Sequence, residues 1–247
     1  MRTGLQQRYD QLWSATVGTI RAGTVETDPV LAAGTQDRRR GLTVIARPSP
    51  HVRRRVAAFL GQLREIEPDQ HYYAPSELHV TVLSLFTATV DHESFLAHTE
   101  RYVSAVDSAL RGVAPIRIGF TGVTATPGAI MIQGFFEDDS LNDLRDSLRQ
   151  QLRAHALAGG VDGRYRLETA HLTVARFRAP LHDGARLAAM LERARRRPFG
   201  ASDIRNVSLV ENDWYMTRRV TRTVKRYRLS GAARRARGGE KPDPITR

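Results

Sequence analysis

The stretch SELHVTVLSLF, residues 76–86, places a histidine and a threonine two positions apart within a run of valine and leucine. In an extended strand alternate side chains point to the same face, so His79 and Thr81 share one face. The valines on either side of Thr81 share the other face. The two valines predict a strand that packs in a core. His79 and Thr81 point away from that core, toward whatever lies on the opposite face of the strand.

The same arrangement returns in ETAHLTVARF, residues 168–177, where His171 and Thr173 share a face. From the composition, only about 0.1 copies of a His-x-Thr triplet with apolar residues at both flanking positions are expected by chance. One copy would be typical of an ordinary strand with a partly buried histidine. Two copies, each inside a block of strands and helices, indicate an internal duplication and a shared site.

Hydrophobic periodicity predicts alternating helices and strands around the two motifs. Helices are expected at 4–21, 49–66, 92–111, 138–157 and 184–196, and strands at 41–48, 77–86, 116–120, 129–136, 165–177, 207–210 and 220–229. Ser49 and Pro50 form a helix-start signal, with a capping hydroxyl before a proline in the first turn. We predict an N-terminal helix and linker over 1–40, a main domain over 41–230 and a basic, disordered tail over 231–247.

The composition restricts the class of protein. With 247 residues and 41% hydrophobic content, the chain can bury a core as one large domain or two lobes. It contains no cysteine, which excludes disulfides, a Cys-ligated zinc and a thiol nucleophile. No apolar run approaches the roughly 20 residues that span a bilayer, and the N-terminus lacks the apolar centre of a signal peptide. We therefore expect a cytoplasmic protein without a membrane partner.

The net charge is +12, and 36 of the 38 basic residues are arginines. Arginine binds phosphate in a planar, bidentate geometry and stacks on bases, so the balance fits a polyanionic ligand. An excess of arginine over lysine is also typical of a GC-rich genome. The arginine-rich run over residues 193–197 also has two interpretations. It could contact an RNA backbone or be the solvated end of a helix.

Two histidines that face one groove can divide acid–base work, because an imidazole with its ordinary pKa near 6.5 can accept or donate a proton at neutral pH. In-line cleavage of a phosphodiester needs one group to take the proton of the attacking oxygen and another to protonate the departing oxygen. The threonine hydroxyls on the same faces can donate to the phosphoryl oxygens. Neither role requires a metal, and we expect no metal and no cofactor.

The two H-hydrophobic-T-hydrophobic motifs resemble the signature of the 2H phosphoesterase superfamily. The surroundings resemble its bacterial RNA 2′,3′-cyclic phosphodiesterases, also called 2′-5′ RNA ligases, in the opening GLTVIARPSPHVRRRVAAFLGQL, in AHLTVAR and in the closing VSLVENDWYMTRRVTRTVKRYRLS. The resemblance covers roughly residues 41–230. It implies an α/β (α+β) fold that is bilobal, with two antiparallel sheets related by a pseudo-twofold axis and helices outside, around a basic central groove.

The resemblance also implies roles for residues. His79 and His171 would be catalytic, with His171 activating water and His79 protonating the leaving 3′ oxygen, and Thr81 and Thr173 would bind phosphate. Arg176 matches an arginine of the second motif, although alternation would place it on the face opposite His171 unless the strand bulges or ends there.

Two tyrosines are further candidates for substrate binding. Tyr227 matches an aromatic position of the closing strand, where packing in the core is the alternative. Tyr73, next to His71 and Tyr72, could offer a face on which a base stacks, and a packed loop is the alternative.

These observations favour a metal-independent phosphodiesterase that opens 2′,3′-cyclic phosphates, on RNA ends or nucleotides, to 2′-phosphates. The expected partner is RNA or a nucleotide, and the expected state is a monomer. One alternative keeps the chemistry and changes the substrate to cyclic nucleotides, 2′-5′ oligonucleotides or ADP-ribose cyclic phosphate. Another is a non-catalytic RNA- or nucleotide-binding module that keeps the groove.

Overall fold

The computed structural model describes residues 2–161 and 166–231. Its helices are α1 (Arg2–Arg21), α2 (Pro29–Ala32), α3 (Pro50–Arg64), α4 (Glu93–Leu96), α5 (Thr99–Leu110), α6 (Ser140–Ala154) and α7 (Gly184–Arg193). Its strands are β1 (Arg40–Ala46), β2 (His71–Tyr72), β3 (Val80–Thr89), β4 (Ile116–Thr126), β5 (Ala129–Phe136), β6 (Leu172–Arg176), β7 (Pro198–Ile204), β8 (Asn206–Asn212) and β9 (Arg222–Arg228). The predicted tail lies outside the described residues from position 232 onward.

The structure differs from the sequence-based expectation at several boundaries. Strand β7 was not predicted, because PFGASDI has no apolar alternation, and it forms by pairing along β4. The second motif strand is shorter than expected and begins at Leu172, while position 165, the first of the predicted strand, lies outside the described residues. The first motif strand begins at Val80. Each motif histidine therefore lies immediately before the first residue of its strand.

The strands form one antiparallel sheet in the order β7-β4-β5-β6-β3-β1-β8-β9, with β2 added beside β6. The sheet has two four-stranded halves, β7-β4-β5-β6 and β3-β1-β8-β9, which meet where β6 adjoins β3. The expected α+β architecture with antiparallel sheets and outer helices is confirmed. The two expected sheets are joined edge to edge into a single curled one.

The two halves repeat one pattern. Read outward from the junction, the strands are β6, β5, β4 and β7 on one side and β3, β1, β8 and β9 on the other. In each half a strand, a helix and the motif strand follow in sequence, as β1-α3-β3 and as β5-α6-β6. The repeat brings the two motif strands side by side at the centre of the sheet.

Local signals account for where several helices begin. Pro50 is the first residue of α3, and the Ser49 hydroxyl accepts a hydrogen bond from the Val52 amide (3.4 Å), so the predicted start signal is confirmed. Asp183 caps α7 by accepting from the Arg186 amide (2.8 Å). These caps satisfy amides that have no partner within their own helix.

The N-terminal helix α1 is packed onto the sheet. It lies against β4, β5 and α7, and Tyr9 and Ile20 are fully buried in the main core. The Thr124 hydroxyl of β4 donates to the Tyr9 carbonyl (2.9 Å). Among the described residues, no helix is both long and apolar enough to cross a membrane.

Candidate active site

The two motif strands meet at a pair of buried apolar residues. Val80 of β3 is paired with Leu172 of β6, and both are fully buried. Because the two strands run antiparallel, the residue before each member of this pair faces the residue after the other member. His79 therefore lies opposite Thr173, and His171 lies opposite Thr81. All four side chains are half-buried and line the same groove. The prediction that the motifs form one shared site agrees with this geometry.

His79 is oriented by the backbone. Its Nδ1 lies 2.7 Å from the Glu77 carbonyl oxygen, and because a carbonyl can only accept, Nδ1 carries the proton. Nε2 is left to face the groove. Burial lowers the pKa of His79 from its ordinary 6.5 to about 4, with Arg47 and Arg176 acting in the same direction. The Glu77 carbonyl opposes this shift, since it stabilises the protonated ring.

His171 is oriented by a side chain. Its Nδ1 lies 2.7 Å from the Thr169 hydroxyl oxygen. Burial lowers its pKa to about 4, and His79, Arg145 and Arg176 act in the same direction. Both histidines are therefore neutral at neutral pH, and their pKa values lie well below the ordinary 6.5 on which the expected division of acid–base work was based.

Arg176 lines the groove as well. The pairing of β5 with β6 changes register between Ile130 and Met131, which are partnered with Ala175 and Thr173 respectively, so Val174 is an extra residue. This bulge reverses the alternation after Val174, which is the condition under which Arg176 was expected to share the face of His171.

Tyr73 holds Arg176 in place. The Tyr73 side chain is 2% exposed, and its hydroxyl accepts a hydrogen bond from the Arg176 Nε (2.9 Å). Burial raises the pKa of Tyr73, so the hydroxyl stays protonated. The tyrosine therefore contacts the arginine directly and has little surface on which a base could stack.

Arg145 ties the motifs together from behind the groove. It is fully buried in α6, and its guanidinium donates to the carbonyls of Val82 (2.9 Å), Thr81 (3.2 Å) and Thr169 (2.6 Å). One side chain thus holds the first motif strand and the segment that leads into the second. Sequence reasoning missed Arg145 because it occupies the apolar stripe of its helix, where periodicity predicts a hydrophobic residue.

The loop after β8 forms a wall of the groove. Trp214 and Met216 line it together with Asn212, and the groove has a volume of about 200 Å³. The Trp214 amide donates to Asp37 (2.9 Å), and the Tyr215 hydroxyl donates to Asp28 (2.6 Å). The predicted linker therefore braces this wall. Sequence reasoning did not assign Trp214, since its place depends on contacts across more than 170 positions.

The remaining candidates lie away from the groove. Tyr227 of the edge strand β9 packs beside the main core near Asp107 of α5, under Lys225. In the arginine-rich run, Arg195 pairs with Asp10 of α1 and Arg197 donates to Gln62 of α3 (2.8 Å). The structure does not bring these side chains to the motif histidines.

Within the part of the chain that the structure describes, no group of three or more His, Asp or Glu side chains is arranged to hold a metal ion. The hydrogen-bond donors that line the groove include several hydroxyl groups and the Arg176 guanidinium. These groups suit an anion, because they offer hydrogen atoms and positive charge.

Comparison with solved structures gives relatives of the same fold. TT0787 of Thermus thermophilus superposes with a TM-score of 0.56 at 19% identity, covering 78% of this chain and 100% of its own. LigT of E. coli, complexed with ATP, superposes with a TM-score of 0.50 at 14% identity, covering 78% of this chain and 99% of its own. A protein described as a phosphoesterase superposes with a TM-score of 0.51 at 16% identity, covering 77% of this chain and 99% of its own. At these identities the likeness concerns the fold alone.

A search of curated proteins finds no match. A family model described as the 2′-5′ RNA ligase superfamily matches residues 48–214, which is more than half of the chain and includes both His-x-Thr motifs. The chain therefore belongs to the 2′-5′ RNA ligase superfamily, the 2H phosphoesterases that its motifs resemble.

Proposed function

We propose that the protein is a metal-independent phosphodiesterase that hydrolyses 2′,3′-cyclic phosphates, on RNA ends or nucleotides, to 2′-phosphates. The observation that carries this proposal is the crossed arrangement at the junction, with His79 opposite Thr173 and His171 opposite Thr81 in one groove. This arrangement suits a phosphoryl group held between two imidazoles and two hydroxyls.

The surroundings of the histidines favour different roles. The carbonyl of Glu77 stabilises protonated His79, whereas the charges around His171 all disfavour its protonation. His79 is thus the better general acid, and His171 the better general base. An anionic phosphodiester in the groove favours the imidazolium form, so substrate binding would supply the protonated state of His79 that a general acid needs.

In the proposed reaction, His171 Nε2 takes a proton from water as the water oxygen bonds to phosphorus. The bond between phosphorus and the 3′ oxygen breaks, and His79 gives its Nε2 proton to that oxygen. A 2′-phosphate and a free 3′ hydroxyl result. Thr81, Thr173 and Arg176 would donate to the phosphoryl oxygens, whose negative charge grows in the transition state.

The size of the groove supports a small or single-stranded substrate. Its volume of about 200 Å³ and the wall formed by Trp214 suit a nucleotide or the end of a chain. LigT, which shares the fold, was crystallised with ATP, so nucleotides are a reasonable class to test. A net charge of +12 favours such anionic ligands generally.

A turnover screen would test the proposal on 2′,3′-cyclic mononucleotides, RNA that ends in a cyclic phosphate, 2′-5′ dinucleotides and ADP-ribose cyclic phosphate. We expect hydrolysis of 2′,3′-cyclic phosphates in the presence of EDTA, with ³¹P NMR showing the 2′ product. His79→Ala and His171→Ala should each lower kcat by about 10²–10⁴-fold.

Three results would count against the proposal. Full activity in both alanine variants would remove the histidines from the mechanism, and activity abolished by EDTA would require a metal. Salt-dependent binding of the same compounds without turnover would favour a binding module instead.

A further inference from the structure

The first motif strand presents a hydroxyl to the groove at every third residue. In β3 the side chains of Thr81, Ser84 and Thr87 are half-buried, whereas the residues between them are buried. Strict alternation has a period of two, so it would turn Ser84 away from the face of Thr81. All three residues nevertheless line the groove that contains the motif histidines.

Two bulges in β3 account for this period of three. The register of β3 against β1 shifts after Thr81 and again after Ser84, and each shift leaves one residue of β3 unpaired with β1. The unpaired residues are Val82 and Leu85. Each bulge reverses the alternation once, which returns first Ser84 and then Thr87 to the face of Thr81.

The second motif strand has the same shape. Its bulge places Arg176 five residues after His171 and on the groove face. The first bulge of β3 places Ser84 five residues after His79 and also on the groove face. The two segments share one burial pattern from the first residue of each strand onward. Ser84 is therefore the counterpart, in the first half of the sheet, of Arg176 in the second half.

The two ends of the groove consequently differ in charge. Because β3 and β6 are antiparallel and meet at Val80 and Leu172, Ser84 and Arg176 lie on opposite sides of that junction. Among the described residues that line the groove, Arg176 is the only arginine or lysine. The end lined by Ser84 and Thr87, here called the hydroxyl arm, presents uncharged polar groups instead.

The hydroxyls of this arm can bind a ligand. Within the described part of the chain, the Thr87 hydroxyl makes no hydrogen bond. The Ser84 hydroxyl lies 3.5 Å from the hydroxyl of the buried Thr43, which is a long contact. Each hydroxyl can donate one hydrogen bond and accept two, so the pair matches the hydroxyl, amino and carbonyl groups of a ribose and a base.

The spacing along the strand also suits a nucleoside. A rise of about 3.3 Å per residue puts Ser84 roughly 10 Å from Thr81, next to which the phosphoryl group is proposed to bind. A ligand whose phosphate lies between the histidines would therefore reach Ser84 with its sugar or base.

We propose that Ser84 and Thr87 determine substrate specificity by holding the nucleoside of the substrate through hydrogen bonds, while its phosphate lies between the histidines and Arg176. The inference deepens the proposed function, on which it rests for the substrate being a nucleotide. The favoured substrate class is a nucleoside 2′,3′-cyclic phosphate whose ribose and base occupy the hydroxyl arm.

Binding of two kinds of probe separates the hydroxyl arm from the phosphate site. Isothermal titration calorimetry at one fixed pH would compare adenosine and uridine 2′-phosphates with inorganic phosphate. We expect the native protein to bind the nucleoside phosphates more tightly. Ser84→Ala and Thr87→Val should each weaken the nucleoside phosphates about fivefold, as for the loss of one ordinary hydrogen bond, and leave inorganic phosphate unchanged. In turnover they should raise KM for the cyclic nucleotides with little change in kcat.

Two further variants sharpen the comparison. Thr89→Val is the matched control, since the Thr89 hydroxyl belongs to the same strand but accepts from the Asp91 amide (3.2 Å), and it should leave both kinds of probe unchanged. Ser84→Arg gives the first half the charge that Arg176 gives the second. It should tighten inorganic phosphate and abolish the preference for a nucleoside phosphate, and such opposite changes cannot come from a general loss of folding.

The proposal is overturned if nucleoside 2′-phosphates bind no more tightly than inorganic phosphate, if Ser84→Ala and Thr87→Val weaken both kinds of probe equally, or if Thr89→Val has the same effect as they do. Should Ser84→Arg fail to fold, the two smaller substitutions decide. A protein that showed the expected binding but hydrolysed no cyclic phosphate would refute the proposed function and leave the hydroxyl arm intact.

Discussion

Val80 and Leu172 form the backbone pair that joins the two halves of the sheet, and each directly follows a motif histidine. Their burial fixes where the strands touch, and the antiparallel direction sets each histidine opposite the threonine of the other motif. The candidate site therefore lies on the junction between the halves, where each half supplies one of the two histidines.

Anion binding should be linked to protonation of the groove. Because both histidines have a pKa of about 4, and an anion stabilises the imidazolium form, sulfate should bind more tightly as the pH falls from neutral toward 4. Isothermal titration calorimetry across this range would measure it, with His79→Ala combined with His171→Ala as control. An affinity that does not change with pH, or that changes equally in the double variant, would contradict the linkage.

The same pKa values predict how stability depends on pH. An unfolded histidine titrates near 6.5, whereas the folded ones titrate near 4, so between these values the unfolded chain binds more protons. The free energy of unfolding should therefore fall as the pH is lowered through this window. Urea unfolding of the native protein and of His79→Gln with His171→Gln would test it, and the variant should show a shallower slope. Equal slopes would mean that the histidines are not the cause.

Removing the Tyr73 hydroxyl should weaken substrate binding. Tyr73→Phe deletes the bond that holds Arg176 (2.9 Å), worth about 1 kcal/mol, so KM for a cyclic phosphate should rise about fivefold with less change in kcat. Tyr72→Phe is a matched control, since the Tyr72 hydroxyl bonds to the Glu67 carbonyl (2.8 Å) instead. Steady-state kinetics of both variants would decide, and an equal effect in the two would assign the change to packing.

Arg145 should matter more for stability than any exposed arginine of its helix. Arg145→Met leaves the carbonyls of Thr81, Val82 and Thr169 without their buried charged donor, and hydrogen bonds to charged groups are each worth about 1.5–3 kcal/mol. We expect the free energy of unfolding to fall by at least about 3 kcal/mol. Arg153→Met, on the exposed side of α6, should change it by less than about 0.5 kcal/mol. A loss below about 1 kcal/mol for Arg145→Met would show that other groups hold the motifs together.

Several features of the site could be predicted before the fold was known. Alternation placed His79 with Thr81, and His171 with Thr173, because the strand period is local. The face on which Arg176 lies could not be predicted. Alternation alone put Arg176 on the face opposite His171, and only the bulge at Val174 brings it to the same face. A bulge depends on the partner strand, which is not adjacent in sequence.

Other features could not be found from the sequence. Trp214 lines the groove because Asp37 holds its loop, and Tyr9 reaches Gly134 only because α1 packs on β5. Tyr227 was weighed as a ligand or a core residue, and on the edge strand beside α5 it is partly buried and packs beside the main core. The order of the strands in the sheet determines this position, and no local sequence pattern predicts that order.

By itself the sequence determined the α+β class, the duplication and the two histidine–threonine pairs, because these follow from periodicity within a few residues. Only the tertiary structure decided the protonation state of the histidines, the partners of their Nδ1 atoms and the buried arginine that links the motifs. Those properties arise from burial and from hydrogen bonds between residues as many as 64 positions apart, as between Arg145 and Thr81, and the buried surroundings exist only once the chain has folded.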